Sequence, residues 1–367
     1  MGAIGALLIT LGMLPVAAML VLWERIFLGK LTQRPGPNRV GPRGLLQTIA
    51  DALKLLTKED FTPKDADRIL FFLAPLIFIV PSFLVFAVVP FGHFGGTHGP
   101  VLIADLRTGI FFMVAVFSLH TVGILMAGWA SNNKYSLLGG IRGVAQAISY
   151  ELPLIFSFLG ILILSGSMST VDIIKAQGGG LHNWFFLAQP VAFLVYLACS
   201  VAEVNRVPFD IPEAESELVS GFNTEYSGMR FAMFFLAEYV SLFATAAIAT
   251  IVFLGGWLAP FPEPAVITGS TLGYFFWSAG WFLLKVFTLV TLAMWVRGTL
   301  PRLRADQLMD FAWKFLVPVV LVNLFVTGLL ALWGRWAVAG GLWLALLLWA
   351  LYGQSRAAKA ERRQVVY

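Results

Sequence analysis

Between Ala202 and Gly228 the chain gathers acid. Six carboxylates, Glu203, Asp210, Glu213, Glu215, Glu217 and Glu225, fall within 27 residues that are flanked by nearly continuous hydrocarbon. Glu238 follows inside the next apolar run, with only Arg206 and Arg230 nearby to balance the group. Carboxylates crowded in or beside a low-dielectric medium cannot all ionise cheaply, because desolvation and like-charge repulsion both favour the protonated form. The chemistry that suits such a set is proton handling. Two isolated acids sharpen that reading. Glu238 lies roughly 14 Å into its run at the rise of a helix, and Glu151 stands within its own run, followed by Pro153, which is expected to disturb the local helix. Lys285, also within an apolar run and without a partner close in sequence, is the candidate counter-ion. The plainer alternative is a solvated loop. Pro208 and Pro212 argue for a broken backbone there, and Glu213, Glu215 and Glu217, two apart, would spread around a helix rather than share a face.

The elements that must position these acids follow from composition. Hydrophobic residues make up 59% of the 367 and charged residues 12%, and mean hydropathy is +0.82. These values define a polytopic membrane class. Runs long enough to cross a core of roughly 30 Å occur at 4–23, 69–91, 108–130, 144–165, 184–204, 229–254, 273–296, 315–333 and 336–352. The fold class expected is therefore an all-α membrane bundle of eight or nine spans, forming one integral domain over 1–367. No Lys or Arg precedes Arg25, so the first run lacks the basic region of a cleavable signal and reads as a retained span. Lys and Arg concentrate in the connections after spans one, three, five and seven and in the tail, which account for 21 of the 25. That bias places the N-terminus outside and the C-terminus in the cytoplasm, with the acidic loop, about 203–228, on the cytoplasmic face. The net charge of +5 then describes that face and not a nucleic-acid site.

Cysteine and histidine are scarce. Cys199 is the only cysteine and the histidines number four, so this chain alone cannot build a disulfide, a thiolate metal site or an iron–sulfur cluster. No metal site is expected, and His120, within a span, reads as a satisfied core histidine. A second informative region lies at 42–58. There Leu45, Leu46, Ile49, Leu53 and Leu56 recur on one helical face, with Arg43, Gln47, Asp51, Lys54 and Lys58 on the other. Such a helix is too short and too polar to span. It is expected to lie in the membrane interface, as a surface anchor or as one wall of an entrance for an amphipathic ligand.

The strings GPNRVGPRGLLQTIADALKLLTKED (36–60), ISYE (148–151), AESELVSGFN (214–223), AEY (237–239) and DQLM (306–309) together resemble one family. It is the quinone-site membrane subunit of proton-pumping NADH:quinone oxidoreductase, respiratory complex I. The resemblance runs from about Glu24 to Lys314. It implies a multi-pass protein of the bacterial plasma membrane, competent only within the complex, that walls a quinone chamber with peripheral-arm subunits. It also implies small membrane subunits and antiporter-like subunits as further partners, beside membrane lipid and the quinone itself. FMN and iron–sulfur clusters are then expected in partner subunits, with none bound by this chain. Carried over by residue, Glu24, Arg25, Asp51, Lys54, Arg297 and Arg302 would line the quinone path. Glu151, Glu203, Asp210, Glu213, Glu215, Glu217, Glu225 and Glu238 would belong to the proton route, with Arg206 and Lys285 as supporting charges.

The sequence departs from the family at two places. Ala305 stands where the family has tyrosine before Asp-Gln-Leu-Met, and Thr32 stands where it has glutamine, with Gln33 shifted by one. Two alternatives remain open. One is the equivalent subunit of a membrane hydrogenase or of a ferredoxin- or deazaflavin-fed quinone reductase. The other is a free-standing proton-coupled transporter, against which stands the lack of an internal repeat relating the two halves.

Overall fold

The computed structural model describes residues 2–95, 99–213, 215–261 and 271–332, with side chains placed from residue 11 onward and not at 215 and 216. Twelve helices follow in order among them: α1 (Gly2–Leu31), α2 (Gln47–Thr57), α3 (Arg68–Leu84), α4 (Gly109–Ala130), α5 (Lys134–Ser165), α6 (Thr170–Ala176), α7 (Phe185–Ala188), α8 (Pro190–Glu203), α9 (Glu215–Leu218), α10 (Gly228–Phe253), α11 (Thr271–Thr299) and α12 (Ala305–Leu332). One small antiparallel pair, β1 (Gly92–His93) and β2 (Pro100–Val101), joins α3 to α4. Seven of the helices are long and apolar enough to cross a membrane: α1, α3, α4, α5, α10, α11 and α12. The shorter apolar α8 makes an eighth candidate. The all-α bundle expected from sequence is what the chain forms; the run at 336–352 lies outside the described residues.

α10 is the axis of the bundle. Of its most apolar window 83% is buried inside the protein, against 22–50% for the other six long helices. Its acid is therefore presented to protein rather than to lipid, which is the placement an ionisable residue in a span requires. α5 brings small residues to the packing surface. A side chain at Gly128 of α4 would meet the Gly140 backbone at 3.1 Å, and one at Gly139 would meet Gly221 at 2.8 Å. Gly143 faces Ile124 and Pro212 in the same way. Small residues let backbones approach where lipid gives no hydrophobic drive for helix association. Here they admit the acidic loop itself into the bundle.

Three local expectations are revised. The fourth span was expected from Val144, but α5 starts at Lys134, because the Asn133 side chain accepts the Tyr135 amide and caps the helix. α5 also runs unbroken through Pro153; a proline removes one backbone bond, and neighbouring groups in a membrane bundle absorb that loss. The fifth span is not one helix. Gln189 leaves helical geometry (φ −134°, ψ 58°) ahead of Pro190, as a residue before proline does, and splits α7 from α8. The amphipathic helix is shorter than 42–58. Pro42–Gly44 forms a 3₁₀ turn with Arg43 and Gly44 at positive φ, and a side chain at Gly44 would sit 2.1 Å from the Pro37 carbonyl oxygen. The helix proper, Gln47–Thr57, still leaves Leu45, Leu46, Ile49, Leu53 and Leu56 exposed in a row, the face an interfacial helix turns to lipid.

Candidate functional site

The acidic loop folds as a packed plug, and its carboxylates do not form a solvated run. Gln146 of α5 donates to the carbonyls of Ala202 (2.8 Å) and Phe209 (2.6 Å), and Leu303 donates from its backbone to Pro208 (3.1 Å). Ser136 holds the Phe222 carbonyl at 3.1 Å. Phe222 and Tyr226 enter an aromatic cluster with Phe71, Phe78 and Phe234, in which Phe71 and Tyr226 stack at 4.1 Å. Gly221, at φ +59°, turns the loop so tightly that a side chain there would lie 1.6 Å from the Pro212 oxygen. Position 221 therefore requires glycine.

Within this frame the charges sort into three places. The first is a buried knot at the end of α1. Glu24, 3% exposed, pairs through its two oxygens with Arg206 and with Arg297. The Arg206 guanidinium also lies 4.1 Å from the ring centre of Tyr239 on α10. Beside it Arg302 pairs with Asp210 (2.7 Å), and Arg25 pairs with Asp51 of α2 (2.5 Å), which also accepts from Gln47. Glu213 and Glu238 share a hydrogen bond between their carboxyl groups, so the pair holds a proton. Asn223 donates to the other side of Glu213 at 2.6 Å. Burial, and next the Asp210 charge, push Glu213 up to about 7, against the lowering effect of the Glu238 bond, Arg206 and Arg297.

The second place joins Glu203 to Glu151. Both line a cavity of about 20 Å³ together with Tyr196 and Thr245, and Oε2 of Glu203 is buried with no hydrogen-bond partner among the described residues. The volume is that of one water molecule, and the lining offers it polar groups. The third place is the surface. Glu217 pairs with Arg142 (2.5 Å) with about half its side chain exposed, and Glu225 accepts from Asn133 (2.6 Å). Glu215 opens α9. The spacing of two that spreads these acids around a helix thus sends Glu213 inward and Glu217 outward.

Lys285 is not the counter-ion to a carboxylate. Its ammonium donates to the backbone carbonyls of Leu254 (2.6 Å), Gly256 (2.9 Å) and Leu258 (2.7 Å), because the end of α10 presents three oxygens to it. His120 is a satisfied core residue, bonded to Ser82 at 2.8 Å and stacked on Phe78. Several partners escaped sequence reading. Gln146 stands 56 positions from Ala202 and Asn223 stands 10 from Glu213, while Tyr239 comes to Arg206 from a different element. No spacing rule connects them.

Two cavities adjoin the knot. One, of about 410 Å³, is bounded by α1, α2 and α10 through residues such as Leu14, Ala18, Leu55 and Leu236, with Asp51 and Lys54 on its α2 wall. The other, also about 410 Å³, is lined by Glu24, Arg34, Tyr239 and Arg297. Arg25 and Phe235 line both. The first is apolar with a charged wall, and the second is polar with the paired charges at its base.

A bundle of this kind, with its charges buried around one central helix, is a multi-pass membrane protein. The chain belongs to the NADH dehydrogenase family, whose model matches residues 4–328. A relative from Geobacillus kaustophilus, named as a subunit of NADH-quinone oxidoreductase, is 52% identical over 335 residues, covering 89% of this chain and 95% of its own. A protein of the same name from Dehalococcoides mccartyi is 49% identical, covering 88% and 84%. A Geobacter sulfurreducens relative, by name one of two forms of that same subunit, is also 49% identical, covering 86% and 92%.

Proposed function

We propose that this chain is the membrane subunit of a proton-translocating NADH:quinone oxidoreductase. On this reading it walls the quinone chamber and couples quinone reduction to proton movement through buried carboxylates. The observation that carries the reading is the pair of cavities meeting at Arg25 and Phe235. An apolar compartment opening beside an interfacial helix suits a lipid-soluble tail. A polar compartment ringed by Arg25, Arg34 and Arg297 suits a headgroup that gains negative charge on reduction. Reducing a quinone to a quinol takes two electrons and two protons. The electrons are assigned to iron–sulfur clusters in peripheral-arm subunits, fed through FMN, and this chain supplies the walls and the protonatable groups. The relatives' shared name supports the quinone and the complex as context.

The protonatable groups stand next to the headgroup compartment. Tyr239 lines it, and the neighbouring Glu238 shares its proton with Glu213. Charge appearing in the chamber acts on Glu24, Arg206 and Arg297, and through them on the Glu213–Glu238 pair, whose proton affinity depends on its neighbours. The Glu203–Glu151 cavity is the next station of the proposed route.

Narrowing the apolar compartment tests the chamber. Ala232→Trp inserts bulk beside Phe235 and is expected to raise the quinone KM about tenfold, the scale of 1.4 kcal/mol. NADH oxidation by an artificial acceptor upstream should be retained. An unchanged quinone KM, or parallel loss of both activities, sets the chamber reading aside.

Orientation is tested separately. Asn132, between α4 and α5, and Pro301, between α11 and α12, are exposed, and the positive-inside count puts both on the cytoplasmic face. Cysteines placed there should react with impermeant reagents from the cytoplasmic side only. Labelling of either from outside reverses the topology.

A further inference from the structure

The turn after α10 has the form of an ion site. Gly255 and Gly256 adopt positive φ (+71° and +53°), which turns successive peptide groups opposite ways. Their N–H groups point outward and are taken: Gly255 donates to Gln177 (2.9 Å) and Gly256 to the Thr250 carbonyl (2.8 Å). The carbonyls of Leu254, Gly256 and Leu258 point inward to one spot, where the Lys285 ammonium of α11 meets them at 2.6, 2.9 and 2.7 Å. An ammonium has three N–H donors, and all three are used. The fourth side is closed by the ring of Trp184, 4.0 Å away, an arrangement that favours a cation. The C-terminal end of a helix adds its negative pole. Lys285 is 8% exposed. Burying a cation this deeply is tolerable only with complete replacement of its hydration, and the cage supplies it.

We infer that the 254–258 turn is a monovalent-cation site, filled in the native chain by the tethered ammonium of Lys285 and able to take a free primary ammonium once the tether is removed. The site lies roughly 24 Å along α10 from Glu238 at helical rise. It pins the end of the central helix to α11 and, through Trp184, to the start of α7. This role is independent of the quinone reading.

The test is Lys285→Ala in the full chain within its native assembly, read by thermal stability in detergent-solubilised membranes. Removing the donor strands three buried carbonyls, and the thermal midpoint should fall by about 5 °C. Propylammonium chloride supplies the missing head and most of the stem, and should restore at least half of the fall. Tetramethylammonium chloride at the same ionic strength carries the charge without N–H donors and should restore none. An unchanged midpoint overturns the inference, as does equal action of the two salts. Where Lys285→Ala does not accumulate, the readout is its yield in membranes of cells grown with each salt. A gain with propylammonium alone supports the site, and no such gain overturns it.

Discussion

Glu24→Gln is expected to cost about 3 kcal/mol or more of stability, among the largest losses available to a single isosteric change in this chain. Glu24 is 3% and Arg206 5% exposed, and the one carboxylate answers two guanidinium groups. Removing its charge leaves Arg206 buried with only the Tyr239 ring and an amide oxygen facing it. Losing one partner of a buried pair is far more costly than losing both, since the desolvated charge remains. The double variant Glu24→Gln with Arg206→Met should therefore be more stable than Glu24→Gln alone, even though two native groups are gone. Thermal midpoints of the assembled single and double variants measure the difference. A double variant no better than the single would mean that the knot is held by packing rather than by compensation of charge.

That knot also marks how far sequence carries. Spans, the acidic loop and the interfacial row were legible because each is a local pattern: hydropathy over about 20 residues, composition over 27, and a 3.6-residue period. Glu24, Arg206 and Arg297 were each singled out, but for separate roles, because 182 and 273 positions separate Glu24 from its partners. Such a pairing is made by helix packing, which no window of sequence contains. Lys285 shows the opposite failure. A buried lysine invites a carboxylate partner, yet backbone carbonyls at a helix end serve it as well, and backbone groups leave no mark in residue identity. The split of α7 from α8 was written in Gln189–Pro190 and could have been read there. The inward turn of Glu213 beside an outward Glu217 depends on the tight turn at Gly221 and on the α5 glycines that admit the loop, so it emerges only in three dimensions.

Glu213→Gln is expected to lower quinone-linked turnover of the assembled enzyme tenfold or more while leaving the upstream artificial-acceptor activity in place. The glutamine keeps the shape and the Asn223 contact but cannot exchange a proton with Glu238. The pH dependence gives the sharper reading. Glu213 is raised to about 7, above its ordinary value in an unfolded chain of about 4.3. The protonated form is thus favoured in the folded state. Its contribution to stability is complete below that unfolded value and is lost as pH rises through 7. Under the proposed coupling, the same titration should appear as a limb near pH 7 in turnover and as a protonated-carboxyl infrared band that fades through that range. Both should vanish in Glu213→Gln. Asp210→Asn should move both to lower pH, because it removes a negative charge that raises Glu213 and frees Arg302 to act as an uncompensated cation nearby. A limb that stays near 7 in Glu213→Gln belongs to another group. A limb that moves upward in Asp210→Asn would show that Asp210 does not act on Glu213 by its charge. Turnover and proton pumping at wild-type levels in an assembled Glu213→Gln enzyme would leave the Glu213–Glu238 pair as scaffold.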